Sequence, residues 1–300
     1  MTNASAPSLL VTGAAGQLGQ LTVEKLLASG TVNVVAGTRD PSKLQALVAR
    51  GVEVRKVDFD EPASLGAAFA GIHRALIVST DTIMEPGLRL RQHLAAVNAA
   101  VRAGVQHIVY TSLPNAGPES PVPFAADHRE TERAIAESGV AFTFLRNNFY
   151  MENTFFMARA LASGRVFSSA GSGRSSHVSR ADVASTAAAV LASGIPGAFD
   201  VTGPSSHTID ELVAALAQTI GHPVEVIHVS DDELGQGMIK AGLSSAMAAA
   251  LVSMDVATRR GLQGTVTDAV PALTGQAAMS LIQFLAIDAH RAALTGPSQH

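Results

Sequence analysis

Three glycines at a fixed spacing are the first residues in this 300-residue chain whose types could do chemistry: Gly13, Gly16 and Gly19, in LLVTGAAGQLGQL (residues 9–21). They follow an apolar run that reads as a strand and open a stretch that reads as a helix. Glycine is required where a chain turns sharply and its backbone must come close to a pyrophosphate. The phosphates then rest on the free N–H groups at the positive end of the helix. Gly13, Ala15, Gly16, Gln17, Leu18 and Gly19 are therefore read as dinucleotide contacts. The plain alternative is an ordinary glycine-rich turn, which the strand–loop–helix context disfavours.

About 20 residues further on, where an acidic side chain would hold a free ribose hydroxyl, the chain has GTRD. A guanidinium at Arg39 can grip a 2′-phosphate through two hydrogen bonds, or it is a solvated surface charge. Asp40 precedes Pro41 and reads as a helix cap. NADPH is favoured as cofactor, with NADH still open. Asp58 and Phe59, in VDFD at the end of the third strand, fall near the adenine; Asp58 either accepts from its amino group or caps the next helix. Ser79 and Thr80, closing the fourth strand, are read as further cofactor contacts.

The proton chemistry is notable for what is missing. A conventional short-chain dehydrogenase protonates its product with a tyrosine and a lysine four residues later. Here the two tyrosines, Tyr110 and Tyr150, have Pro114 and Thr154 at that spacing, and the four lysines are Lys25, Lys43, Lys56 and Lys240. An unactivated ketone leaves a strongly basic alkoxide that needs a positioned donor, whereas a quinone or delocalised cation does not. Either the acceptor is easily reduced, or the protein binds its nucleotide without chemistry.

The elements that must position these residues alternate. Strand-like runs at 8–13, 33–38, 52–59, 74–80, 107–112 and 141–146 are separated by Ala/Leu-rich helical stretches, four of which end on a glycine. This predicts an α/β fold: a Rossmann-type, doubly wound parallel sheet over residues 1–150, with segment 178–203 joining it. Residues 151–300 predict a smaller, mostly helical lobe on the substrate side. After residue 146 the elements read as a helix-like stretch from Asn147 to Gly164, a helix at 179–194 and a short strand at 198–203 within the segment that joins the sheet, then a helix at 208–220 and a short strand at 224–229. With 47% hydrophobic residues, 15% charged and a net charge of −4, the chain reads as globular, with no nucleic-acid footprint or basic membrane surface. The absence of cysteine removes disulfides and thiolate chemistry, and the histidines show no metal spacing. The short polar N-terminus is no signal peptide and the longest apolar runs do not span a bilayer, so a cytoplasmic protein is expected. The oligomeric state stays open, a homodimer included.

With these residues in hand, the sequence resembles the NmrA-like group of atypical short-chain dehydrogenases, and within it the bacterial NAD(P)H:quinone oxidoreductase and triphenylmethane reductase type. The carrying pieces are VTGAAGQLG, TRDPSKLQAL, HIVYTSL, DHRETERAIAESGVAFTFLRNNFYMEN and SRADVASTAAAVL, in that order over nearly the whole chain. The resemblance implies hydride transfer or a silent redox sensor. It places Thr111, Ser112 and Leu113 by the nicotinamide ribose and Asn147, from the LRN pattern, near nicotinamide and substrate. It also puts His128 where many relatives carry lysine. The four prolines at 114, 118, 121 and 123 depart from the pattern.

Three residues are candidate catalytic groups. His128 is either a proton donor or ribose contact, or a surface histidine paired one turn on with Glu132. Asn147 can orient a carbonyl without titrating, or is a turn residue. Tyr150 can donate from its phenol. Phe149, Tyr150, Phe155 and Phe156 form either an apolar wall for a flat substrate or part of a packed core. Arg174 and His177 lie in a Gly/Ser-rich loop, read as a flexible lid or a solvated loop. The expected function is an NADPH-dependent oxidoreductase acting on a quinone or similar electron-poor small molecule. The alternatives are a non-catalytic nucleotide sensor, or a reductase of an imine, dye or carbonyl compound.

Overall fold

The computed structural model describes residues 6–83 and 85–295. Among the described residues nine strands form: β1 (Leu9–Val11), β2 (Val34–Thr38), β3 (Glu53–Lys56), β4 (Arg74–Ile77), β5 (His107–Ser112), β6 (Ala141–Asn147), β7 (Arg165–Ser168), β8 (Gly197–Val201) and β9 (Glu225–His228). Seven of them make one sheet in the order β3-β2-β1-β4-β5-β6-β8. The pairs from β3 through to β6 run parallel, with Leu10 opposite Val35 on one side and Ala75 on the other. This is the doubly wound Rossmann arrangement that the alternation predicts, with β8 added at one edge.

The physical cause is visible strand by strand. β1, β2 and β5 are buried at every residue, as strands covered on both faces must be. The helices between them stop where predicted: Gly30, Gly51, Gly71 and Gly104 all hold left-handed backbone, with φ of 75°, 81°, 70° and 79°.

Two compact units divide the chain. The first comprises 1–113, 127–146 and 181–199, and the second 114–126, 147–180 and 200–300. The first unit's core gathers Leu10, Phe69, Ile77, Ile108, Tyr110 and Ile135. In the second, β7 and β9 pair in parallel, and Met151, Leu212, Leu216 and Phe284 join one apolar cluster. Its helix Ile209–Ile220 starts at a reciprocal cap, the Thr208 side chain accepting from the Glu211 N–H while Glu211 accepts from the Thr208 N–H.

Some elements differ from expectation. The stretch after Asn147 is not one helix but a 3-10 segment, Met151–Met157, followed by the short helix Ala158–Ala162. β7 lies in a four-residue RVFS run too short to signal a strand alone. The fourth strand ends at Ile77, so Val78, Ser79 and Thr80 leave the sheet. Among the described residues, no helix is long and apolar enough to cross a membrane.

Candidate cofactor cavity and active site

The glycine loop builds the floor of a cavity of about 380 Å³ in the first unit. Gly13 has φ +64°, and its carbonyl accepts from the Gly16 N–H at 2.8 Å, which folds the loop back on itself. A Cβ built on Gly19 would lie 2.3 Å from the Gly13 carbonyl oxygen, so only glycine fits there. Gly16 stands at the N-cap of the helix Gln17–Ala28, and no side chain caps that helix. Its first N–H groups are left for a ligand, at the end where the helix dipole favours an anion. A pyrophosphate fits this cradle.

Arg39 and Lys43 both line the cavity, four residues apart, and neither makes an ion pair among the described residues. Asp40 does not compete for Arg39: its carboxylate accepts from the Ser42 N–H at 3.1 Å and the Ser42 hydroxyl at 2.6 Å, capping the turn that begins at Pro41. Two unspent cations suit a 2′-phosphate.

Asp58, Phe59 and Asp60 form another part of the wall. Asp58 accepts from the Asp60 N–H at 3.0 Å, and the N-cap position of the helix Pro62–Phe69 is Glu61, which makes no side-chain cap. Asp58 is thus a turn residue facing the cavity, not the helix cap. Behind it, Gln92 Nε2 donates to both carboxylate oxygens of Asp60, at 3.0 and 2.9 Å. Ser79 and Thr80 line the cavity as well. Thr111 lies behind them: its hydroxyl accepts from the Ser79 N–H at 2.8 Å. Thr111, Ser112 and Leu113 are buried and do not line this cavity.

His128 is also buried, 4% exposed, which corrects the surface reading. Its predicted partner Glu132 pairs with Arg146 instead, at 2.6 Å. His128 Nε2 accepts from Arg89 at 3.0 Å and Nδ1 meets the Tyr110 hydroxyl at 2.9 Å. Burial, with the Arg89 charge and His93 adding to it, holds the imidazole well below its ordinary pKa. Tyr110 is pushed up by burial, so neither group ionises near neutral pH.

Asn147 and Tyr150 belong to the second unit. Asn147 Nδ2 donates to the Tyr150 hydroxyl at 3.5 Å, while its buried Oδ1 has no hydrogen-bond partner among the described residues. The Arg180 guanidinium lies 5.1 Å from the Tyr150 ring centre. Burial raises the Tyr150 phenol to about 12, with Arg180 opposing the shift. The neighbouring Asn148 is the structural one: it donates to Ser176 and to the Gln263 carbonyl, and accepts from the Phe149 N–H.

Two expectations around these residues are corrected. The four aromatics do not make one wall: Phe155 packs on Phe284 with ring centres 5.7 Å apart, while Phe156 is 90% exposed. The Gly/Ser loop is tied down by hydrogen bonds, which speaks against a flexible lid, while Arg174 itself is exposed as the solvated reading has it. Arg174 binds Glu211 at 2.7 Å, Ser175 exchanges two backbone hydrogen bonds with His207, and Ser176 donates to the Gln263 carbonyl. Sequence reasoning missed Lys43, Asp81, Thr82 and Gln92 in the cavity wall. The spacing of Lys43 from Arg39 was a usable signal; Gln92, on the helix Leu88–Arg102, gave none.

A glycine cradle at an uncapped helix end, two cations without an ion-pair partner among the described residues and a Rossmann sheet together define a dinucleotide-binding protein. The chain belongs to the NAD(P)H-binding family, whose model matches residues 13–194. It is an NmrA-like, NAD(P)H-dependent oxidoreductase. It is 37% identical over 257 residues to quinone oxidoreductase 2 of Escherichia coli K12, covering 84% of this chain and 88% of that protein. Its structure resembles an E. coli NADPH-dependent quinone oxidoreductase in complex with NADPH (TM-score 0.86, 34% identity, 92% of this chain and 98% of that one). It also resembles the Citrobacter triphenylmethane reductase complexed with NADP(H) (TM-score 0.84, 33% identity, again 92% and 98%).

Proposed function

We propose that the protein is an NADPH-dependent reductase of quinones and similarly electron-poor small molecules. The single observation that carries this is the fate of its proton donors. Tyr110 is sealed against His128, and no lysine follows either tyrosine at the required spacing. Lys56 is held by Glu61, and Lys43 lines the nucleotide cavity. Without a Tyr-x-x-x-Lys pair to protonate an alkoxide, the acceptor is one whose reduced form is a weak base.

Each residue then has a plain task. The glycine loop and the following helix end hold the pyrophosphate, and Arg39 with Lys43 selects the 2′-phosphate. Asp58 and Phe59 border the adenine. Bound there, the nicotinamide supplies the hydride. Asn147 orients the acceptor oxygen through its amide, and Tyr150 donates a hydrogen bond to it without ionising. His128 is a positioning residue. A delocalised cationic dye is a second acceptor class, favoured by the likeness to triphenylmethane reductase.

The test is NADPH consumption with quinones, cationic dyes, imines and ketones, with NADPH binding measured in parallel. Turnover on quinones or dyes supports the reading. Tight binding with no turnover on any acceptor would make the protein a nucleotide sensor.

A further inference from the structure

The polar cluster buried behind the cavity wall has a task beyond filling the core. Thr80 lines the cavity, yet both polar groups of its backbone are turned away into this cluster. Its N–H donates to His93 Nε2 at 3.0 Å, and its carbonyl accepts from Arg89 Nε at 2.7 Å. The preceding residue is tied in the same way, the Ser79 N–H donating to Thr111 Oγ1.

The proton positions follow from groups that can only donate. A guanidinium only donates, so His128 Nε2, 3.0 Å from Arg89 Nη2, is an acceptor and the His128 proton is on Nδ1. Nδ1–H then donates to the Tyr110 hydroxyl oxygen at 2.9 Å. By the same logic the Thr80 N–H makes His93 Nε2 an acceptor, and His93 Nδ1–H points at Tyr110 (3.2 Å) and Thr131 Oγ1 (3.1 Å). Thr131 spends its own proton on the Asp127 carbonyl at 2.6 Å. Arg89, His93, Thr131 and His128 are each 5% exposed or less, as is Tyr110. Arg89 is also the second residue of the helix Leu88–Arg102, where a cation opposes the helix dipole. Burying a cation there is costly, and an aliphatic residue would serve packing alone.

We propose that His128, Tyr110 and His93 form a positioning device for NADP(H): acting through Arg89 and the Thr80 backbone, they fix the Ser79–Thr82 wall of the cofactor cavity. The backbone N–H and C=O of one residue, which belong to the two successive peptide groups flanking the Thr80 Cα, are both held, from two positions one helical turn apart, Arg89 and His93. The Ser79 N–H and both polar backbone groups of Thr80 are therefore held on the side of the cluster. Ordering that segment before binding removes an entropic cost from NADP(H) association. None of the cluster residues needs to touch substrate.

The experiment compares three variants for NADPH dissociation constant, kcat at saturating NADPH with a quinone, and amide hydrogen exchange over residues 78–82. His128→Met removes the acceptor for Arg89 and is expected to raise the NADPH dissociation constant about tenfold, with faster exchange at Thr80 and kcat within about twofold. His128→Gln places an amide oxygen within reach of Arg89 and is expected to restore affinity to within about threefold of wild type. Tyr110→Phe deletes one hydroxyl from an isosteric ring and decides the matter if His128→Met does not fold; a loss of about threefold or more is expected. Unchanged NADPH affinity and exchange in Tyr110→Phe and His128→Met would overturn the proposal. So would a fall in kcat at unchanged affinity with a shifted kcat–pH profile in His128→Gln, which would make His128 a proton donor.

Discussion

Gly19 packs so closely on Gly13 that a Cβ there would fall 2.3 Å from the Gly13 carbonyl oxygen, whereas a Cβ on Gly16 would meet the same oxygen at 3.2 Å. The two positions therefore separate fold from ligand. Gly19→Ala is expected to disrupt the loop and lower Tm together with NADPH binding, because the clash is with backbone. Gly16→Val should leave Tm within a few degrees and weaken NADPH binding at least about tenfold, by occupying the pyrophosphate's space. Thermal melts with and without NADPH check both. Normal NADPH binding by Gly16→Val would move the pyrophosphate elsewhere.

If Arg39 and Lys43 hold the 2′-phosphate as proposed, they carry the choice between cofactors. Replacing Arg39 by Ala is expected to cost NADPH binding about 2 kcal/mol, the worth of a charge-assisted hydrogen bond, and to leave NADH nearly unchanged. Lys43→Ala should act in the same direction and less strongly, since an ammonium offers no paired donors. Parallel NADPH and NADH titrations give the answer. Equal losses for both cofactors would count against a 2′-phosphate site.

The buried histidines set the behaviour in acid. Burial, then the Arg89 charge, lowers His93 from 6.5 to about 3, and His128 is lowered well below 6.5 for the same reasons. Both stay neutral in the folded protein, while the unfolded chain takes up protons below about pH 6.5. Stability is thus complete above that pH and falls as pH drops from 6.5 toward 3. Each histidine contributes a slope of about 1.4 kcal/mol per pH unit. Urea unfolding at pH 7.5, 6.0 and 5.0 should show the decline, and His93→Gln should flatten it by about one proton's worth. A stability independent of pH over this range would contradict the neutral, buried assignment.

On the acceptor side, Asn147→Ala and Tyr150→Phe are each expected to lower turnover about tenfold, the worth of one hydrogen bond lost in the transition state, with NADPH affinity unchanged. Steady-state rates with a quinone and direct NADPH titration separate the two effects. Full turnover in both variants would remove these residues from the site.

How much of this was legible depended on how local each determinant is. The glycine loop, the apolar strands and the glycine helix stops are written in adjacent residues, because the backbone itself demands them. The end of β4 was not legible. Val78, Ser79 and Thr80 read as strand, but their N–H groups go to the side chains of Thr12, Thr111 and His93, between 13 and 66 residues away. His128 misled for the same reason: Glu132 stands one turn on, yet the fold gives Glu132 to Arg146 and His128 to Arg89 and Tyr110. Asp60 and Gln92 face the cavity as a bonded pair 32 residues apart, which no local pattern announces.

The central claim is tested most directly by kcat/KM for NADPH oxidation with 1,4-benzoquinone against cyclohexanone, under identical conditions. A protein without an activated proton donor is predicted to reduce the quinone at least about 10³ times faster, since the ketone's alkoxide lacks the general acid that contributes about 10² to 10⁴ in rate. Comparable rates for the two, or reduction of the ketone alone, would contradict the account.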